Sequence, residues 1–195
     1  MSTNYENILR ALSQASVTRR KCFVSYYGGD TAEVDTFVSD FKDVFIPKAI
    51  GVTNGDDFID SDDADYIMSK IREKYLGDST VTLVMIGSCT HSRRYIDWEI
   101  KASLRQGSYT PNGLLGILLP SMGNSGHLPD RFKENWENTE NASYALYRSY
   151  PSSSDELRKW IEAAHARRTS HARFIKNSQS MMKYSRNCKV HEVTH

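Results

Sequence analysis

Cysteine is scarce in this 195-residue chain, and its spacing suggests no pairing. Cys22, Cys89 and Cys188 are odd in number and far apart, which matches neither a disulfide framework nor a zinc-ligand pattern. A reduced, cytoplasmic setting is therefore expected. In that setting the sequon Asn141-Ala142-Ser143 is a chance match, because glycosylation requires secretion. The opening MSTNYENILR lacks the apolar stretch of a secretory signal, so none is expected. No apolar run approaches the roughly 18 residues of a membrane span. Charge of one sign is lacking as well: 25 Lys plus Arg offset 24 Asp plus Glu, a formal net charge of +1. That balance provides no field to gather nucleic acid or an anionic membrane, and neither is expected as a partner.

Several chemical signatures are missing too. There is no G-x-x-x-x-G-K-[ST] and no G-x-G-x-x-G, which removes the P-loop and the Rossmann fingerprint. No G-x-S-x-G elbow occurs. The acidic run DDFIDSDDAD, from Asp56 to Asp65, resembles a calcium loop but lacks its glycine and its terminal glutamate. A solvated loop with helix-capping aspartates is the simpler reading. A phospho-receiver using Asp56, Asp57 or Asp60 would need an aspartate ending a core strand, which the sequence does not place. His165 and His171 do not share a helical face, and His191 and His195 lie in the tail. No metal site is expected from these residues.

What is present is a globular composition, 39% hydrophobic and 25% charged, enough for one domain with a substantial core. Residues 4–15 read as a helix with Ile8, Leu9 and Leu12 on one face, part of an N-terminal extension over 1–20. The domain proper runs over 21–175, and a polar, loosely held tail covers 176–195. KCFVSYY (21–27), TVTLVMIG (80–87), GLLGILLP (113–120) and SYALYRSY (143–150) read as strands. Asp30 or Thr31 caps a helix whose apolar period runs from Val34 to Phe45, with Pro47 as its stop. Residues 48–62 read as a loop with room for a short strand. Asp62 or Asp63 caps a second helix, about 64–76, closed by Gly77. A third is expected over about 92–106 and a last over about 153–175. Residues 121–142, rich in Gly, Asn and Pro, read as a surface excursion. This order predicts an α/β fold with a mainly parallel sheet and helices on both faces.

In such sheets ligands bind outside the carboxyl ends of the strands. That rule selects Tyr26 to Thr31, Gly87 to His91 and the segment after Leu119. Gly28 and Gly29 would let a diphosphate approach, and Ser88 and Thr90 offer hydroxyls. The alternative is that all of them are turn and cap residues. In the third helix, at roughly 100° per residue, Ile96, Ile100 and Leu104 face the sheet, while Asp97, Lys101 and Arg105 point away. Glu99 falls on the flank, near the strand ends. It is either a boundary residue paired with Arg93 or Arg94, or a half-desolvated functional carboxylate. Trp98 lies off the stripe, toward a loop or another protomer.

The segments CFVSYYGGD (22–30), DADYIMSKIREKYLGDSTVTLVMIGSCT (63–90) and HSRRYIDWEIKASLRQG (91–107) together resemble the TIR-like family of Thoeris-type bacterial antiphage systems. Two positions depart from the family pattern: Tyr27 stands where histidine is frequent, and Trp98 adjoins Glu99, whereas the family tryptophan usually lies nearer Tyr95. The resemblance implies a flavodoxin-like TIR fold with an added N-terminal helix and a C-terminal helical extension. It implies cleavage of NAD+, as substrate and with no separate cofactor, to a cyclic ADP-ribose isomer that activates a separate effector protein. It makes Glu99 the catalytic residue, in contact with the ribose attached to nicotinamide. Ser25, Tyr26, Tyr27, Asp30, Ser88, Thr90 and Tyr95 would line the substrate site. A phage-derived trigger and a homo-oligomer completing the site across protomers belong to the same expectation. The competing expectation is a non-enzymatic TIR-like scaffold acting by protein contact.

Overall fold

In the computed structural model, which describes residues 18–50, 60–136, 139 and 142–193, β-branched and aromatic residues around Phe23 form β1 (Arg20–Ser25). The candidate N-terminal helix, Asp56 and Asp57 lie outside the described residues. A 3-10 turn (Gly28–Asp30) leads into α1 (Thr31–Asp40) and then β2 (Phe45–Ile50). Next come α2 (Ala64–Ile71), extended by a π turn (Arg72–Leu76), and β3 (Val81–Ile86). The chain continues through a 3-10 turn (Thr90–Ser92), α3 (Arg94–Ser103), β4 (Gly113–Leu118), α4 (Asp130–Asn135), β5 (Leu146–Arg148) and α5 (Ser154–Ser170).

The five strands form one sheet in the order β2-β1-β3-β4-β5, and every pairing is parallel. This is the flavodoxin-like order, in which the connection reverses direction between β1 and β3. β3 and β4 are buried along their whole length, as strands covered on both faces must be. On one face Cys22, Val24, Leu83 and Leu115 pack against Phe37 of α1 and Leu157 and Ile161 of α5. On the other, Phe23 meets Ile67 and Ile71 of α2 and Trp98 of α3. Val84, Ile86 and Leu118 there meet Ile96 and Ile100 of α3 and Phe132 of α4.

Several expectations change. The first helix stops at Asp40, and Phe45 opens an edge strand instead of closing the helix. Pro47 is tolerated because an edge strand has one side without ladder partners. Asp63, of the two candidates, caps α2, its side chain accepting from the backbone N–H of Asp65 and Tyr66. The expected surface excursion contains α4, with Arg131 and Phe132 fully buried.

The tail is not loosely held. Residues 177–188 run along the side of α3 that faces away from the sheet. Arg131 is buried there with all its N–H groups placed. Nε and Nη2 bond the carboxylate of Asp97 at 2.8 and 3.2 Å. Nη1 reaches Asn177 Oδ1 at 3.2 Å and the Gln179 carbonyl at 3.1 Å, and Nη2 also reaches the Ser180 carbonyl at 3.0 Å. Met182 N donates to Asp97 at 2.8 Å, and Lys101 Nζ donates to the carbonyls of Asn177 and Gln179. Asp97 and Lys101, expected to point away from the sheet, do so and are buried under this cover. Burial, with Arg131 close by, lowers the Lys101 ammonium below its ordinary pKa. Trp98, the oddity of the sequence, is 4% exposed and donates its indole N–H to the Met182 carbonyl at 2.8 Å.

Candidate functional site

The reversal of strand order brings the carboxyl ends of β1 and β3 side by side, and the polar residues after each strand meet there. Ser25 ends β1 with its side chain toward α3. Its hydroxyl donates to Glu99 Oε2 at 2.6 Å, a charge-assisted bond between two buried groups. Glu99 is only 2% exposed, so the carboxylate is sealed in this conformation.

Asp30 closes the 3-10 turn after β1. Its side chain does not cap α1 but crosses to the loop after β3. Ser88 Oγ donates to its Oδ1 at 3.4 Å. The carboxylate lies so close to Gly87 that a Cβ there would stand 1.9 Å from Oδ2, so a larger residue would displace Asp30 from this position. Asp30 Oδ2 is buried and has no hydrogen-bond partner. Burial, reinforced by nearby Glu33, raises the pKa of this carboxyl above its ordinary value.

Tyr27 folds back over the same turn. A Cβ on Gly29 would come within 2.4 Å of its ring, so the glycine makes room for the aromatic. The Arg93 guanidinium stacks 5.0 Å from the Tyr27 ring centroid, and its Nη1 is buried with no hydrogen-bond partner. The rim of the crevice thus holds an orphaned carboxylate oxygen and an orphaned guanidinium nitrogen. Native interiors rarely leave such groups unpaired, and a polar ligand would satisfy both.

The residues expected to line the site divide into two sets. Ser25, Glu99, Asp30, Ser88 and Tyr27 gather at the junction of β1, β3 and α3. Tyr26 packs with the core on the opposite sheet face, as alternation along a strand demands of the neighbour of Ser25. The Thr90 hydroxyl holds its own loop, donating to the Met85 carbonyl at 3.0 Å and accepting from Gly87 N at 2.9 Å. Tyr95 stands beside Trp98 with its ring 5.5 Å away, and its hydroxyl accepts from Arg94 at 2.7 Å. That pair adjoins a different cavity, of about 390 Å³, lined by Ile67, Arg94, Trp98 and Met181 to Tyr184. Its lining does not include Ser25, Asp30 or Glu99.

Two features went unread in the sequence. The sequence offers Arg93 only as an ion-pair partner for Glu99, and its stacking on Tyr27 has no local sequence signal. Cys89 and Cys188, whose spacing suggests no pairing, form a disulfide, their Cα atoms 5.4 Å apart across a separation of 99 residues. The bridge ties the C-terminal segment to the loop that carries Gly87 and Ser88. Cys22 is the free cysteine among the described residues, and burial raises its thiol pKa. No helix among the described residues is long and apolar enough to cross a membrane.

The sequence matches the family described as Thoeris protein ThsB, TIR-like domain, over residues 23–124. That span runs from β1 through β4 and includes Ser25, Asp30, Arg93 and Glu99. The comparison with curated proteins gives no match.

Proposed function

The chain belongs to the Thoeris ThsB family of TIR-like domains, and from that premise we propose that it is an NAD+-processing enzyme of antiphage defence. It cleaves NAD+ and closes the product into a cyclic ADP-ribose isomer, a messenger for a separate effector. The observation that carries this reading is the Ser25–Glu99 hydrogen bond at the β1/β3 reversal, beneath a rim with unsatisfied polar groups. In the proposed reaction the bond from ribose C1′ to the nicotinamide nitrogen breaks and nicotinamide leaves neutral. The ribosyl oxocarbenium that forms is stabilised by the Glu99 carboxylate, which also orients the ribose hydroxyls. Ser25 fixes the carboxylate rotamer. Arg93 and the backbone around Gly28 meet the diphosphate, while Asp30 and Ser88 take ribose hydroxyls. An acceptor nitrogen or hydroxyl of the same molecule, held close, attacks C1′ in preference to water, and a hydroxyl acceptor releases its proton to solvent as the new C–O bond forms. Because Glu99 is sealed, substrate entry requires the crevice to open.

The test is product analysis. Purified protein, and extract from infected cells, are incubated with NAD+ and the products read by mass spectrometry. Glu99→Gln should lower turnover by about 10²–10³-fold. Unchanged products and unchanged protection against phage in that variant would sink the proposal. The sealed carboxylate is the one observation that favours a non-enzymatic TIR-like module instead. Effector activation by a protein-free filtrate of the reaction excludes that alternative.

A further inference from the structure

The Cys89–Cys188 pair has a third neighbour that the crevice chemistry does not use. His191 Nδ1 stands 3.3 Å from Cys89 Sγ. The two sulfurs and a ring nitrogen of His191 all lie within 4.8 Å of one another. Backbone bonds build this arrangement. Cys188 N donates to the Val193 carbonyl at 2.8 Å, and Glu192 N donates back to the Cys188 carbonyl at 2.7 Å. The chain is thereby closed into a tight loop over Cys188-Lys189-Val190-His191. Glu192 completes it at φ 54°, a conformation that side chains disfavour and that these two bonds maintain. Lys189 N is pinned as well, donating to His91 Nε2 at 3.1 Å. Both cysteines are buried and His191 is exposed, so the donor set opens to solvent on one side.

We propose that Cys89, Cys188 and His191 form a redox-gated zinc site. Two thiolates and an imidazole are the soft-to-borderline donors that Zn²⁺ selects, and Cys188-x-x-His191 supplies a compact half-site completed by a remote cysteine. As a disulfide the pair takes no metal. A dithiol reductant opens it: the S–S bond breaks, the reductant becomes a disulfide, and two protein thiols form. Zn²⁺ then binds both thiolates, and two protons pass to solvent. The resulting centre is neutral, with its fourth position left to water. Disulfide and metal centre both hold residues 188–191 against the loop after β3, so the C-terminal cover stays attached in either redox state. This proposal rests on the donor geometry and is independent of the NAD+ reading.

The experiment uses the full chain without an affinity tag. It is prepared oxidised or reduced under anaerobic conditions, then exposed to Zn²⁺ alone. Bound metal is counted by mass spectrometry after gel filtration, and affinity is read by competition with a chromophoric chelator. The expected result is about one zinc per reduced chain, none on the oxidised chain and none on Cys188→Ser. His191→Ala keeps both cysteines and should bind at least about tenfold more weakly, since loss of an outer-shell partner alone costs about 10–100-fold. Far-UV circular dichroism verifies folding, and Cys89→Ser replaces Cys188→Ser if the latter fails to fold. Absence of zinc from the reduced wild type overturns the proposal. So does zinc retained undiminished in the cysteine variant, or wild-type affinity in His191→Ala.

Discussion

Asp97 and Glu99 stand on the same helix, both buried, in opposite circumstances. On the covered flank of α3, Asp97 is held by Arg131 and by Met182 N, and every N–H of Arg131 has an acceptor. On the crevice flank, Glu99 takes the Ser25 hydroxyl, and the nearby rim leaves Asp30 Oδ2 and Arg93 Nη1 buried without partners. A closed polar network fixes a structure, and removing one member leaves an uncompensated charge. Unsatisfied groups at a strand-end crevice instead mark where stability has been given up for a ligand. Burial alone therefore does not separate a structural carboxylate from a functional one; the completeness of its surroundings does.

Four substitutions probe that contrast. The largest effect is expected on the covered flank. Arg131→Ala or Asp97→Asn breaks a buried ion pair and should cost about 3–5 kcal/mol of stability, read by chemical denaturation. If either variant is as stable as wild type, the covered flank is not the structural one. On the other flank, Ser25→Ala removes a hydrogen bond to a buried carboxylate. It should cost about 1–3 kcal/mol and reduce NAD+ turnover together. Loss of stability with full turnover would make Ser25–Glu99 a second structural pair. The smallest effect has the opposite sign. Asp30 has a raised carboxyl pKa from burial, so its favourable contribution to stability is fully present only below the unfolded value, about 3.9, and fades as pH rises through the folded value. Asp30→Asn should therefore melt at a higher temperature than wild type near neutral pH, with the gap closing below about pH 3.9. Turnover should fall in the same variant. A lower melting temperature at neutral pH would place Asp30 with Asp97.

Much of this was legible. The continuous apolar runs of β3 and β4 and the stripe Ile96, Ile100 and Leu104 identified the sheet centre and the helix beside it, and helical geometry put Glu99 at the edge. β2 was obscured because Pro47 reads as a stop, although an edge strand accommodates it. The family resemblance points Tyr26 at the site, whereas alternation along the chain sends it to the opposite face from Ser25. Thr90 had a hydroxyl at the right place, but local bonds to Met85 and Gly87 engage it. The covered flank stayed hidden for a different reason. A helical wheel divides residues between core and water, and it has no place for a third surface supplied by distant chain. Trp98 was the available signal: an indole on the polar side of a helix requires a cover. Cys89 and Cys188 gave none, because a pair so distant has no spacing to read.

The order of synthesis gives the C-terminal cover a further meaning. Trp98 is made 84 residues before Met182, the residue that accepts its indole N–H. Until the ribosome has delivered the segment from Asn177 to Cys188, the helix bearing Glu99 stands with an indole, an aspartate and a lysine bared along one side. Chains halted earlier in translation expose that apolar and charged strip and are candidates for chaperone capture. The helix that carries Glu99 is thus completed only when chain made 84 residues after Trp98 has folded back over it.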